Sequence, residues 1–233
     1  MGQTVAVVLA GGRGRRVGAD RNKVLLEIAG RPVIEWSLRA FATHPAIDRV
    51  VLVGHIDDLP ELRKLASAYG VTDVVEGGAE RPDSERAAID LLRTSIASGE
   101  TSAVLIHDGA RPCVSATLID RSASVAVTAG VVPTVQAPPL VTDDGARIAA
   151  APGHLMRAQT PQGGPASWLV AAYDDAVANG FTGTDTASYL EEAGYAVRAI
   201  PGDEANLKVT YAVDLAAAAA TLGAGAHLEP NEQ

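Results

Sequence analysis

A chain of 233 residues, 47% hydrophobic and with a formal net charge of −9, is long enough for one α/β domain with a full apolar core. The acidic balance excludes general nucleic-acid binding, which calls for a basic field to release counterions, and no apolar stretch is long enough to span a bilayer. A single cysteine, Cys113, excludes an internal disulfide framework and a cysteine-rich metal site, and the amino terminus lacks a signal-like segment, so a cytoplasmic protein is expected.

Taken in chain order, the first element is an apolar run, Val5 to Leu9, that reads as a buried parallel strand ending in glycine. Strand-like runs follow at Val50 to Val53, Val71 to Val75, Ala103 to Ile106 and Val125 to Val127. Between them lie helical patterns at Pro32 to Phe41, Leu59 to Tyr69 and Asp83 to Ile96. Such alternation predicts crossover units, a mainly parallel sheet and a three-layer α/β/α, Rossmann-like domain.

From about Val131 the pattern changes. Asp144-Gly145 between short apolar runs predicts a hairpin, hence a β arm protruding at about 132–158 from a single domain spanning 1–233. Helical periodicity returns at Pro165 to Asn179 and at Asp185 to Ala193, with a strand at Tyr195 to Ile200 between that and a closing helix at Val213 to Leu222. The tail after Gly223 is expected to be loose.

The chemistry begins after the first strand, at Leu9-Ala10-Gly11-Gly12-Arg13-Gly14-Arg15-Arg16, with Lys23 seven residues beyond. Glycines let main-chain N–H groups approach a polyphosphate, and the cations meet its oxygens, so this stretch reads as a triphosphate loop at a strand's carboxyl end. The spacing is not that of a Walker loop, and the dinucleotide fingerprint fails at Val17. A basic, solvated surface loop is the alternative.

Four later segments could join it. Gly77-Gly78, with Asp83 as a cap and Ser84 at a helix start, suits a base and sugar, or is an ordinary strand-turn-helix cap. Asp108 at a strand's end is placed to hold Mg²⁺, with Arg111 near for an anion, or it caps the helix beginning near Ser115; His107 reads as a core histidine. Thr184 reads as a helix cap whose hydroxyl could bind a polyol. Asn206 and Lys208 share one side of an extended stretch, Asn206 to join Asp108 at a metal and Lys208 to hold a phosphate. Two of the three lysines, Lys23 and Lys208, fall in these motifs.

This succession, with Gln159-Thr160-Pro161-Gln162 between, resembles the methylerythritol-phosphate cytidylyltransferase family from Val5 to about Leu215. The resemblance implies a GT-A-like nucleotidyltransferase domain that uses Mg²⁺, pairs into a homodimer through its β arm, and moves CMP from CTP to 2-C-methyl-D-erythritol 4-phosphate in non-mevalonate isoprenoid synthesis. It implies that Arg16 and Lys23 stabilise the triphosphate in the transition state, with Lys208 a third catalytic cation. Leu9 to Gly14, Gly78, Ser84 and Asp108 would line the CTP pocket; Asp108, Arg111, Thr184 and Lys208 would surround the polyol phosphate and metal.

The chain departs from the family pattern at Leu9-Ala10-Gly11-Gly12, at Asn22 before Lys23 and at Ala79. It departs most in the arm, where Ala137 to Thr142 replaces an Asp-Thr pair and the region of Pro152 lacks an arginine; Arg147, His154 and Arg157 lie nearest. A ribitol-phosphate cytidylyltransferase, a molybdopterin guanylyltransferase and a non-catalytic nucleotide sensor are the competing readings.

Overall fold

The structure, a computed structural model, describes residues 2–11, 22–138, 141–143, 148–150 and 155–226. Twelve strands and seven helices alternate in the described residues. In chain order they are β1 (Gln3–Ala10), β2 (Glu27–Ile28), β3 (Arg31–Pro32), α1 (Val33–Ala42), β4 (Arg49–Gly54), α2 (Leu59–Ser67), β5 (Asp73–Glu76), α3 (Arg81–Ala97), β6 (Thr101–Asp108) and α4 (Ala116–Ala126). There follow β7 (Gly130–Gln136), β8 (Val141–Asp143), β9 (Ile148–Ala150), β10 (Met156–Ala158), β11 (Gln162–Pro165), α5 (Ala166–Asn179), α6 (Thr186–Glu192), β12 (Val197–Pro201) and α7 (Ala212–Ala226).

The central sheet runs β10-β7-β11-β6-β1-β4-β5, with β12 also paired to β7. Its core, β6-β1-β4-β5, is parallel, while β11 and β10 are antiparallel to their neighbours. Strand β1 has β4 on one side and β6 on the other, so the chain winds outward in one direction and then crosses back. A crevice at the carboxyl ends of β1 and β6 follows from that reversal, and Leu9 stands in register with Asp108 across it.

Alternation along the strands builds the three layers. Val5, Val7, Leu9, Val51, Val53, Val104 and Ile106 face α3, α5 and α6, where Ile89, Leu92, Leu169 and Leu190 meet them. The intervening residues Ala6, Val8, Val50 and Leu52 face α1, α2 and α4 through Ile34, Leu38, Phe41, Leu62, Leu118 and Ile119. These strands are buried on both faces, hence their near-continuous apolar sequence.

A smaller cluster packs α7 against the β2–β3 hairpin through Ile28, Val33, Cys113, Val209 and Ala218. Cys113 is buried there, and burial pushes its thiol up to about 11, an inert group. Helix α5 ends on Gly180 at φ 69°, a left-handed position that a side chain would strain.

Two expectations need correction. Val125-Ala126-Val127 is not a strand: Val125 and Ala126 close α4 and Val127 follows it. The helix period runs through Leu118, Ile119, Ser122, Ala123 and Ala126, all buried, and a three-residue apolar run cannot be told from it by composition. The next strand is β7. The closing helix also passes Gly223 and reaches Ala226. The arm's hairpin is present, with Val141, Thr142 and Asp143 paired to Ala150, Ala149 and Ile148; its turn, Asp144-Gly145, lies outside the described residues.

Strand β11 is squeezed between β6 and β7, and Gly163 is what permits it. A Cβ at that position would sit 2.0 Å from the Val104 carbonyl oxygen, a backbone atom with no room to yield. Gly163→Ala is therefore expected to destabilise the protein by about 3 kcal/mol, read as a lower urea midpoint. An unchanged midpoint would contradict the close packing of β11 on β6.

Candidate active site

At the switch point the strand ends enclose a cleft of about 850 Å³. Its walls are Leu9, Ala10 and Gly11 from the end of β1, Glu76, Gly77 and Gly78 from the end of β5, and Asp108 and Ala110 from β6 onward. Lys23, Val24, His55 and Ile56 close one side, Glu80, Arg81 and Ser84 another, and Lys208 a third.

The glycines in this wall answer to a steric need. Ser84 Oγ would lie 3.0 Å from a Cβ at Gly11 and 2.5 Å from one at Gly77, and Asp83 Cβ would lie 2.1 Å from one at Gly78. The Ser84 hydroxyl is thus wedged between two glycine segments and leaves bare main chain facing the cleft. The amino end of α3 opens onto the same space, and its partial positive charge favours an anion there. Its N-cap is Glu80, not Asp83: the two form a reciprocal capping box, with Asp83 accepting from the Glu80 N–H at 3.1 Å.

Asp108 is the electrostatic centre. It is only 9% exposed, yet Lys208 Nζ lies 2.7 Å from Oδ2, Arg81 Nε 3.3 Å from Oδ1 and Arg111 Nε 3.7 Å from Oδ2. Burial alone would push this carboxyl up; Arg81, Lys208 and Arg111 outweigh it and hold it well below the usual carboxylate range. Asp108 stays ionised at any working pH.

Its neighbours are fixed from behind. His107 is fully buried, its Nε2 3.2 Å from the Arg111 carbonyl and its Nδ1 3.1 Å from Thr160 Oγ1, and burial holds the imidazole neutral down to about 4. Thr160 Oγ1 also accepts from the Asp108 N–H at 3.0 Å.

The segment 206–210 is lashed across this corner rather than paired into the sheet. Lys23 Nζ donates to the Val209 carbonyl at 2.8 Å, Val209 N donates to the Ala110 carbonyl at 2.8 Å, and Arg111 donates to the Asn206 carbonyl at 2.8 Å. Asn22 fixes the near end of the Lys23 segment, with Nδ2 donating to the Ala10 carbonyl at 3.0 Å and to Asp58 Oδ2 at 2.7 Å.

A family model described as 2-C-methyl-D-erythritol 4-phosphate cytidylyltransferase (IspD) matches residues 4–224. A protein of that name from Bacillus licheniformis is 37% identical over 94% of this chain and 95% of its own, and one from Prochlorococcus marinus 39% identical over 93% and 96%. The chain belongs to the IspD cytidylyltransferase family. Its fold also matches the crystal structure of a 4-diphosphocytidyl-2C-methyl-D-erythritol synthase from Anaerococcus prevotii, with TM-score 0.82, 24% identity and coverage of 95% of this chain and 99% of the other.

Set against the family's expected site, the structure brings together Leu9, Ala10, Gly11, Lys23, Gly78, Ser84, Asp108 and Lys208 in one cleft. Gly12, Arg13, Gly14, Arg15 and Arg16 lie outside the described residues, as do Pro139, Leu140, Arg147, Pro152 and His154 of the arm. Arg111 and Asn206 stand behind the cleft wall. Arg111 is nearly buried with its donors turned to Asn206 and Asp108; Asn206 is fully buried, giving Nδ2 to the Thr160 carbonyl at 2.8 Å while Oδ1 has no hydrogen-bond partner among the described residues.

Thr184 is exposed and off the cleft's walls. It is not the cap of α6. That position is held by Asp185, whose Oδ1 accepts from the Ser188 N–H at 3.1 Å while Ser188 Oγ serves the Asp185 N–H in return. Both Thr and Asp cap helices; the serine three residues on decides for Asp185. Arg157 sits in exposed β10, 3.4 Å from Glu204.

Sequence reasoning left Arg81 without a role. Its place after Gly77-Gly78 in the first turn of a helix was the available signal, since that turn must face whatever the glycines approach.

Proposed function

We propose that this chain transfers a cytidylyl group from CTP to 2-C-methyl-D-erythritol 4-phosphate, releasing pyrophosphate and forming 4-diphosphocytidyl-2-C-methyl-D-erythritol. The observation that carries the reading is the cation-ringed Asp108 at the switch point, in a chain matched to this family along residues 4–224. The substrate phosphate attacks the α-phosphorus, the bond to the leaving pyrophosphate breaks, and no covalent protein intermediate is needed. Charge grows on the triphosphate oxygens as this happens. Lys23, Lys208 and Arg16 are the groups we assign to meet it.

Glycine-walled main chain around Ser84, at Gly11 and Gly78, receives the nucleoside. Asp108 is the carboxylate that would hold Mg²⁺, with Asn206 behind it. Among the described residues no cluster of three or more His, Cys, Asp or Glu could cage a metal, and a single buried anion suits an ion that keeps waters and takes its other ligands from substrate phosphates. When bound, Mg²⁺ supplies neutralising charge to the phosphate oxygens.

We further propose a homodimer joined through the arm. Supporting this are the β8–β9 hairpin and the exposed Leu155 and Met156 that follow it in the chain. Among the described residues no helix is long and apolar enough to cross a membrane, and a lone buried thiol suits the cytoplasm.

Pyrophosphate release tests the reading directly. With CTP and Mg²⁺, turnover is expected with 2-C-methyl-D-erythritol 4-phosphate and is expected to stop on chelation by EDTA. Turnover with ribitol 5-phosphate alone would transfer the assignment to that acceptor.

A further inference from the structure

We infer that Glu85 is a positioning residue of the nucleotide site, setting the guanidinium of Arg81 against Asp108 and the bound triphosphate; this rests on the nucleotidyl-transfer reading above. Glu85 is fully buried on α3, one turn beyond Arg81. An ionised carboxylate there gives up its hydration, and an apolar side chain of similar volume would pack on the same face without that penalty. Its presence needs a reason in what it holds.

Both oxygens are occupied, by groups from three elements. Oε1 forms an ion pair with Arg81 Nη1 at 2.8 Å and accepts from the Thr186 hydroxyl at 3.0 Å, and Oε2 accepts from the Tyr173 hydroxyl. Thr186 begins α6 and is fully buried; Tyr173 lies in α5 and is 2% exposed. These helices lock the carboxylate so that it offers Arg81 one direction only. Burial pushes the Glu85 carboxyl up, and Arg81 is the main opposing influence.

Arg81 therefore has one end tied to an immobile anion and its Nε set 3.3 Å from Asp108. A guanidinium is planar and rigid, so two fixed edges determine where its remaining donors lie. The side chain keeps some exposure where it lines the cleft. Without Glu85, Arg81 is free to turn both prongs onto Asp108, a bidentate pair that withdraws the carboxylate from the site.

A buried pair that served stability alone would leave substrate affinity unmoved, so the test is a double-mutant cycle read in CTP binding. Glu85→Gln keeps the shape and removes the charge. Calorimetry with CTP and Mg²⁺ is expected to show it weakening binding about tenfold in the native background and less than twofold in an Arg81→Met background. Pyrophosphate release should show the same dependence in kcat/KM. If Arg81→Met does not fold, Arg81→Gln, which can still donate to Glu85, supplies the background.

Equal losses in both backgrounds, or no loss in either, overturn the inference. Wild-type protein that binds CTP but turns over no polyol phosphate overturns the acceptor assignment alone. Wild-type protein that binds no CTP overturns both.

Discussion

Asp108→Asn is expected to lower kcat by roughly a thousandfold or more, with loss of Mg²⁺-dependent CTP binding. The substitution keeps the shape and removes the anion that Arg81, Lys208 and Arg111 share. Two consequences follow at once. The proposed Mg²⁺ site loses its carboxylate, and Arg81, Lys208 and Arg111 lose the anion between them.

The cations do not feel that loss equally. Lys208 has a side chain 39% exposed and can turn toward water, and Arg81 keeps Glu85 as a partner, whereas Arg111 is 12% exposed and has neither recourse. The stability cost is therefore expected at about 2 kcal/mol, below the range for a fully buried broken pair. Calorimetric titration of Mg²⁺ with CTP, beside thermal unfolding, separates the effects. A variant that melts lower but retains Mg²⁺-dependent binding would remove Asp108 from the metal and leave it a structural anchor.

The framework of this site was legible in the sequence because its physics is local. An apolar run ended by glycine marks a buried parallel strand and its carboxyl end, and three such runs carry Gly11, Gly54 and Asp108 to one edge. Helices α1, α2 and α3 declared themselves by their apolar faces in the same way. What escaped depended on contacts between distant segments. Val125 to Val127 has the composition of a strand and became the end of a helix because the α4 face packs on β7 and β11.

Strands β10 and β11 were missed for a related reason. They are only three and four residues long, and β11 reads Gln162-Gly163-Gly164-Pro165, a composition that favours turns; squeezing between β6 and β7 makes it a strand. The Glu85 network was invisible for the same reason: its four members come from α3, α5 and α6, separated by about a hundred residues. A glutamate at a core-facing helical position was the one local sign, a polar residue where the period asks for an apolar one.

Lys23→Ala is expected to reduce kcat by roughly a hundred to a thousandfold while leaving KM for CTP within about threefold. The reasoning is that of differential binding: a cation whose contact strengthens only as charge develops on the triphosphate lowers the barrier without tightening the ground state. In this structure Lys23 lines the cleft while its Nζ reaches the carbonyl of fully buried Val209, in the segment that also carries Lys208. The ammonium is thus held at the cleft against a backbone oxygen, and a triphosphate there offers it a charged acceptor, with which its contact is stronger. Removing it takes this donor from the carbonyl of a buried residue, so a folding cost of about 1–3 kcal/mol is expected. Lys23→Arg should not restore the rate, because a wide planar fork replaces a compact point charge in a space closed by Val24 and Val209. If instead kcat and CTP affinity fell together, Lys23 would be holding the nucleotide before the reaction begins, and stabilisation of the transition state would pass to Lys208 and Arg16.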